Sequence, residues 1–203
     1  MWINHEFFND ERITQMEDKR LYTVAVFTEN RVGILNQISI IFTRRKLNIE
    51  TLSVSPSSIE GVHKFTITAV SDLTTIDNLV KQIEKRIDVL RAFYYTDDEI
   101  VYQEIALFKV PTAKLLVEPN LEAIIRKYNA RILEITPKYT VLEKSGHSEE
   151  TQALFEELKR FDIRQFVRSG RVAVTKCDRE YVTEFLEKRN QRKEELEEEW
   201  KHL

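Results

Sequence analysis

The chain has 203 residues, 42% hydrophobic and 32% charged, with 31 basic residues against 34 acidic for a net charge of −3. That is enough apolar material for one large or two small cores, and the near balance of charge excludes the broadly basic footprint of a general nucleic-acid binder. A single cysteine, Cys177, excludes an internal disulfide framework, no apolar run approaches a membrane span, and the mixed, acidic N-terminus lacks a signal-peptide pattern, so the expected setting is the cytoplasm.

In chain order, Met1 to Lys19 is polar with scattered aromatics and reads as a tail. Leu21 to Phe27 is an apolar strand. Glu29-Asn30-Arg31-Val32-Gly33 follows, holding the first glycine of the chain, and Ile34 to Lys46 then carries Ile34, Leu35, Ile38, Ile41 and Phe42 at helical spacing. Asn48 to Ser55 alternates as a strand, Pro56-Ser57-Ser58 supplies a turn, and Val62 to Val70 completes a hairpin. Thr75 to Arg86 is a helix, and Val89 to Thr96 a closing strand. The order is βαββαβ.

That order recurs. Gln103 to Val110 reads as a strand, Asn120 to Tyr128 as a helix, Ala130 to Ile135 and Tyr139 to Lys144 as paired strands, Glu149 to Arg160 as a helix, and Ile163 to Thr175 as one last strand. The expected fold class is α+β: two tandem ferredoxin-like units, each an antiparallel sheet with its helices on one face, leaving the other face to a partner, a ligand or solvent. Polar Asp97-Asp98-Glu99 marks the boundary between them. The expected domains are a tail over 1–19, a first unit over 20–97, a second over 98–177 and a charged helix over 178–203.

The chemistry lies in the glycine turn. A helix start leaves backbone N–H groups without partners, and these suit the carboxylate of a small ligand. Asn30 offers both donor and acceptor, and Gly33 lets main chain come close. The same residues serve equally as a plain helix-entry turn, and Asn48 as a plain strand-edge residue. No nucleophile–base pair, paired carboxylates or metal spacing is recognisable. His63 reads as an outward-facing strand residue, Cys177 as an incidental thiol, and Arg44-Arg45-Lys46 as a complement to the helix dipole.

The run TENRVGILNQISIIFTRRKLNIETLSVSP, followed by Val62 to Ile67 and Asp88-Val89-Leu90, resembles the N-terminal ACT domain of acetolactate synthase small regulatory subunits. YQEIALFKV, ARILEITPKYTVLEKSG and FVRSGRVAV are similar to strands of that family's C-terminal domain. The resemblance implies a non-catalytic regulatory subunit that activates a large catalytic subunit and confers feedback inhibition by a branched-chain amino acid, typically valine. It implies a homodimer through side-by-side ACT domains, with effector bound by Asn30, Gly33, Ile34 and Leu35 of one copy and by Asn48 and Ile49 of the neighbour. Thiamine diphosphate, magnesium and flavin (FAD) would belong to the catalytic partner, leaving this chain without cofactor, metal or catalytic residues and without nucleic-acid or membrane partners. The family commonly has proline or a small residue before the glycine, where this chain has Val32.

Two other classes share the pattern. An ACT-type sensor could act on a different enzyme. An RNA-recognition-like binder shares the βαββαβ order, but needs exposed aromatics on its third strand, where Val62 to Ile67 offers only Phe65.

Overall fold

The computed structural model describes residues 19–117, 120–178 and 181–201. These divide into two compact units, one formed by the described residues of 19–100 with 175–201 and the other by those of 101–174. The expected tail lies outside the described residues except for Lys19.

The first unit begins with β1 (Arg20–Glu29), α1 (Ile34–Arg44), β2 (Thr51–Pro56), β3 (Val62–Ser71), α2 (Leu73–Glu84) and β4 (Val89–Tyr95). Its sheet order is β2-β3-β1-β4, and all three pairings are antiparallel. Alternation in β1 sends Tyr22, Val24 and Val26 to one face. There they pack with Ile38, Ile41 and Phe42 of α1 and Ile76, Leu79 and Ile83 of α2. Burying each such side chain contributes about 1.5–3 kcal/mol, so this one layer of helix on sheet accounts for most of the unit's cohesion.

α2 starts earlier than its apolar spacing suggests, because Asp72 caps it: the carboxylate accepts a hydrogen bond from the Thr75 N–H at 2.8 Å. That backbone donor holds the Asp72 carboxyl below its ordinary value of 3.8. Asp72→Ala is expected to lower stability by about 1 kcal/mol at neutral pH, read from the urea midpoint. Since the folded pKa is depressed, the cap's contribution is full above the unfolded pKa and is lost as pH falls through the folded one. The two proteins should therefore converge in acid.

The sheet face away from α1 and α2 is not left to partners alone. Phe27 lies opposite Lys64 and Arg91 on the neighbouring strands, and its ring meets Phe93 edge-on at 6.4 Å. α6 (Tyr181–Lys201), the expected charged helix, belongs to this unit. The Arg91 guanidinium sits 4.2 Å from the Phe185 ring centre, and Val182 is buried. The apolar stripe of the helix is thus absorbed by its own chain.

The second unit contains β5 (Ile100–Pro111), α3 (Thr112–Val117), α4 (Asn120–Lys127), β6 (Arg131–Ile135), β7 (Tyr139–Gly146), α5 (Ser148–Leu158), β8 (Gln165–Arg168) and β9 (Val172–Thr175). The sheet order β6-β7-β5-β8 repeats that of the first, with β9 also on β5. Ala106, Phe108, Val110, Leu121, Leu142, Leu154 and Phe161 form the core.

The single last strand expected over Ile163 to Thr175 is two strands. Phe166 and Arg168 share the core side of β5, opposite Phe108 and Ala106, yet further along it is Arg171 and Ala173 that are buried while Val172 and Val174 are exposed. The alternation slips by one residue, which is the signature of a bulge. Ser169 stitches the break, its N–H donating to Ile105 O at 2.8 Å and its Oγ accepting from the Ile105 N–H at 2.9 Å.

Candidate functional site

The turn between β1 and α1 is held from below by main chain. The Glu29 N–H donates to Asp88 O at 2.9 Å and the Asn30 N–H to Gly61 O at 3.1 Å, which ties the loop to the turn of the β2–β3 hairpin. The Arg31 guanidinium lies 3.4 Å from the Glu29 carboxylate and 4.0 Å from that of Asp88. Gly33 is the residue preceding the helix, with φ 87° and ψ −4°. This left-handed conformation is open to glycine at little cost and disfavours side chains with a Cβ, so the glycine is required by backbone geometry.

The helix start is uncapped. Among the described residues no side chain caps it, and the first N–H to close onto the main chain inside it is that of Gln37, to Gly33 O at 3.2 Å. Among the described residues, the N–H groups of Leu35 and Asn36 therefore have no partner. Val32 is fully exposed and Leu35 is 44% exposed, so the turn faces solvent. Two residues before Asn30, the Thr28 hydroxyl is buried and unpaired among the described residues.

The six sequence-predicted site residues fall into two places. Asn30, Gly33, Ile34 and Leu35 share the turn, although the Ile34 side chain points into the core rather than outward. Asn48 and Ile49 lie beyond the far end of α1, whose 11 residues separate the groups by about 15 Å. Asn48 is exposed, its amide donating to the Glu50 carboxylate at 3.0 Å, and Ile49 packs on the edge of the core. One copy of the chain cannot bring all six around one small molecule.

The sequence alone did not disclose a cleft of about 480 Å³ on the flank of the turn. Glu29, Asn30, Arg31 and Gly61 form one wall, and Leu186 and Arg189 of α6 the other. Gly61 at the hairpin and the apolar residues Phe185 and Leu186 within the charged helix were its traces in the sequence. Among the described residues, no group of three His, Cys, Asp or Glu side chains is arranged to hold a metal ion.

Comparison with known proteins places this geometry. Residues 24–91 match the AHAS small subunit-like ACT domain, and residues 103–177 match the small subunit of acetolactate synthase. The acetolactate synthase small subunit of Bacillus subtilis is 34% identical over 156 residues, covering 76% of this chain and 89% of that protein. The chain belongs to the acetolactate synthase small-subunit family. The family's small subunit from Aquifex aeolicus is 30% identical over 155 residues, covering 76% of this chain and 81% of its own length. The crystal structure of the small subunit from Thermotoga maritima aligns with a TM-score of 0.71 at 22% identity, over 79% of this chain and 99% of that one. That likeness supports the tandem ferredoxin-like fold with its ACT-type first unit.

Proposed function

We propose that this chain is a non-catalytic regulatory subunit that binds and activates the large catalytic subunit of acetolactate synthase and makes it responsive to a branched-chain amino acid, valine foremost. The observation that carries the proposal is the solvent-facing, uncapped Gly33 turn on a chain of the small-subunit family. Amino-acid recognition needs donors for a carboxylate, acceptors for an ammonium and a small apolar surface. The Leu35 and Asn36 amides supply the first, the Asn30 side chain can supply either polar role, and exposed Leu35 supplies the third.

The separation of Asn48 and Ile49 from the turn supports effector binding between two copies of the chain. β2, into which those residues lead, is an edge strand of its sheet and exposes Val54, so a second β2 can pair with it and carry a neighbour's Asn48 toward the turn. Thiamine diphosphate, magnesium and flavin are assigned in this proposal to the catalytic partner, where the carbon–carbon bond chemistry takes place.

Effector binding can change the partner's activity only by favouring one arrangement of the complex over another, and a coupling of about 1–3 kcal/mol is the usual scale. Calorimetric titration of the purified chain with valine, leucine and isoleucine, followed by assay of the complex reconstituted with the large subunit, tests both parts. Saturable binding of one of the three, and a rise in large-subunit activity that this amino acid reverses, is the expected result. Failure to associate with the large subunit would overturn it, and capture of a different enzyme would favour an ACT-type sensor with another target.

A further inference from the structure

We infer that α6 buttresses the effector loop and sets its affinity, with Arg189 and Leu186 as positioning residues. The inference rests on the amino-acid-binding reading proposed above. α6 lies outside both regions matched by the family models, yet it is built into the first unit through buried Val182 and the stacking of Arg91 on Phe185. It reaches the loop at one charged contact: Arg189 stands 3.7 Å from the second oxygen of Glu29, whose first oxygen faces Arg31 at 3.4 Å. One carboxylate thus links α6 to the guanidinium next to Asn30. Leu186 and Leu90 line the same cleft as Glu29 and Arg189 and supply apolar area to it.

The helix stands on the flank of the turn, while Val32 and Leu35 at its tip stay exposed. It therefore leaves the uncapped amides accessible, and its action is to hold Glu29, Asn30 and Arg31 in place before ligand arrives. A loop ordered in advance loses less conformational entropy on binding, which raises affinity without adding a contact to the ligand. Arg189 and Glu29 are both substantially exposed, so the ion pair alone is worth little and the apolar seat of the helix must carry most of the effect.

Two full-length variants test this. Leu186→Asp, which places a charge under the helix, should raise the dissociation constant for valine about tenfold, and Arg189→Glu about two- to fivefold, the range of a half-exposed pair. Arg189→Lys, which keeps a positive charge beside Glu29 and leaves the Glu29–Arg31 contact in place, should retain most of the wild-type affinity, which a role resting only on the bulk of the arginine would not produce. Hydrogen exchange at residues 30–36 should be faster in Leu186→Asp than in the wild type, without ligand. Unchanged valine affinity in Leu186→Asp would overturn the inference while leaving the binding reading intact. A wild-type chain that binds none of the three amino acids would overturn the binding reading and this inference with it. Exchange at 30–36 that does not respond to Leu186→Asp would show that the buttress itself is absent.

Discussion

Arg171→Ala is expected to destabilise the protein by about 3–5 kcal/mol. The bulge between β8 and β9 turns Arg171 into the interior, where its Nε lies 3.3 Å from Glu104 Oε1 with both side chains almost wholly buried. Its guanidinium also covers the Tyr102 ring at 3.8 Å, and that ring meets His147 edge-on at 4.3 Å. Removing the arginine leaves the Glu104 carboxylate in a low-dielectric site without its counter-charge, and the cost is mainly that of the abandoned charge. The paired replacement Glu104→Leu with Arg171→Met removes both charges and keeps the volume, so it should fall within about 1.5 kcal/mol of the wild type. Urea unfolding of the wild type, Glu104→Leu, Arg171→Met and the double variant as a double-mutant cycle, with Arg171→Ala alongside, measures this. A double variant as unstable as Arg171→Ala would mean that lost packing, and not a stranded charge, controls the site.

Much of this architecture was legible because period and punctuation agree. Alternation in β1 and β5, helical spacing in α1 and α2, and the single glycine before Ile34 each point to one local structure, and the recurrence of the order doubled the signal. Three features escaped for identifiable reasons. The last strand was read as continuous because Val167, Val172 and Val174 are all β-formers, and only burial reveals that the alternation slips between them. The Glu104–Arg171 pair involves residues 67 apart. Its one local trace is a glutamate on the inward side of β5, between Tyr102 and Ala106. α3 was missed because its Thr112 is seated by tertiary contacts, the hydroxyl donating to Thr136 O at 2.6 Å and lying 3.0 Å from that of Thr140.

At the candidate site, the turn was readable because glycine is the residue that takes a left-handed conformation at least cost. Helical spacing already grouped Ile34 with Ile38, Ile41 and Phe42 of the core; what periodicity could not convey is that α6 supplies the flank. The seat of α6 depends on Arg91 and Leu90, which lie far from it in sequence and become neighbours only once β4 is in the sheet. The separation of Asn48 from the turn, by contrast, follows from helix length alone. In the two-copy site proposed above, that distance is spanned by the neighbour, and its scale was already implicit in the 11 residues of α1.

Gly33→Asp is expected to abolish effector binding while leaving activation of the large subunit in place. Space is not the obstacle, since a Cβ at this position meets nothing within 4 Å. Backbone conformation is one obstacle: at φ 87° a residue with a Cβ costs about 1–2 kcal/mol, so the turn will shift or strain. Charge is the larger one. The introduced carboxylate competes for the Leu35 and Asn36 amides that the ligand would use, and it repels the ligand's own carboxylate. Two unit charges 4 Å apart at an effective dielectric near 20 interact by about 4 kcal/mol, roughly a thousandfold in affinity. Gly33→Asn separates the two causes, because asparagine tolerates the left-handed region better than most residues and is uncharged. It should weaken binding about tenfold, and Gly33→Asp beyond detection. Calorimetry with valine, alongside activation of the large subunit at saturating regulatory chain, checks both. Since α1 buries Ile38, Ile41 and Phe42 beyond the turn, the fold has the reserve to survive either change. Wild-type valine affinity in folded Gly33→Asp would move the effector site away from this helix start.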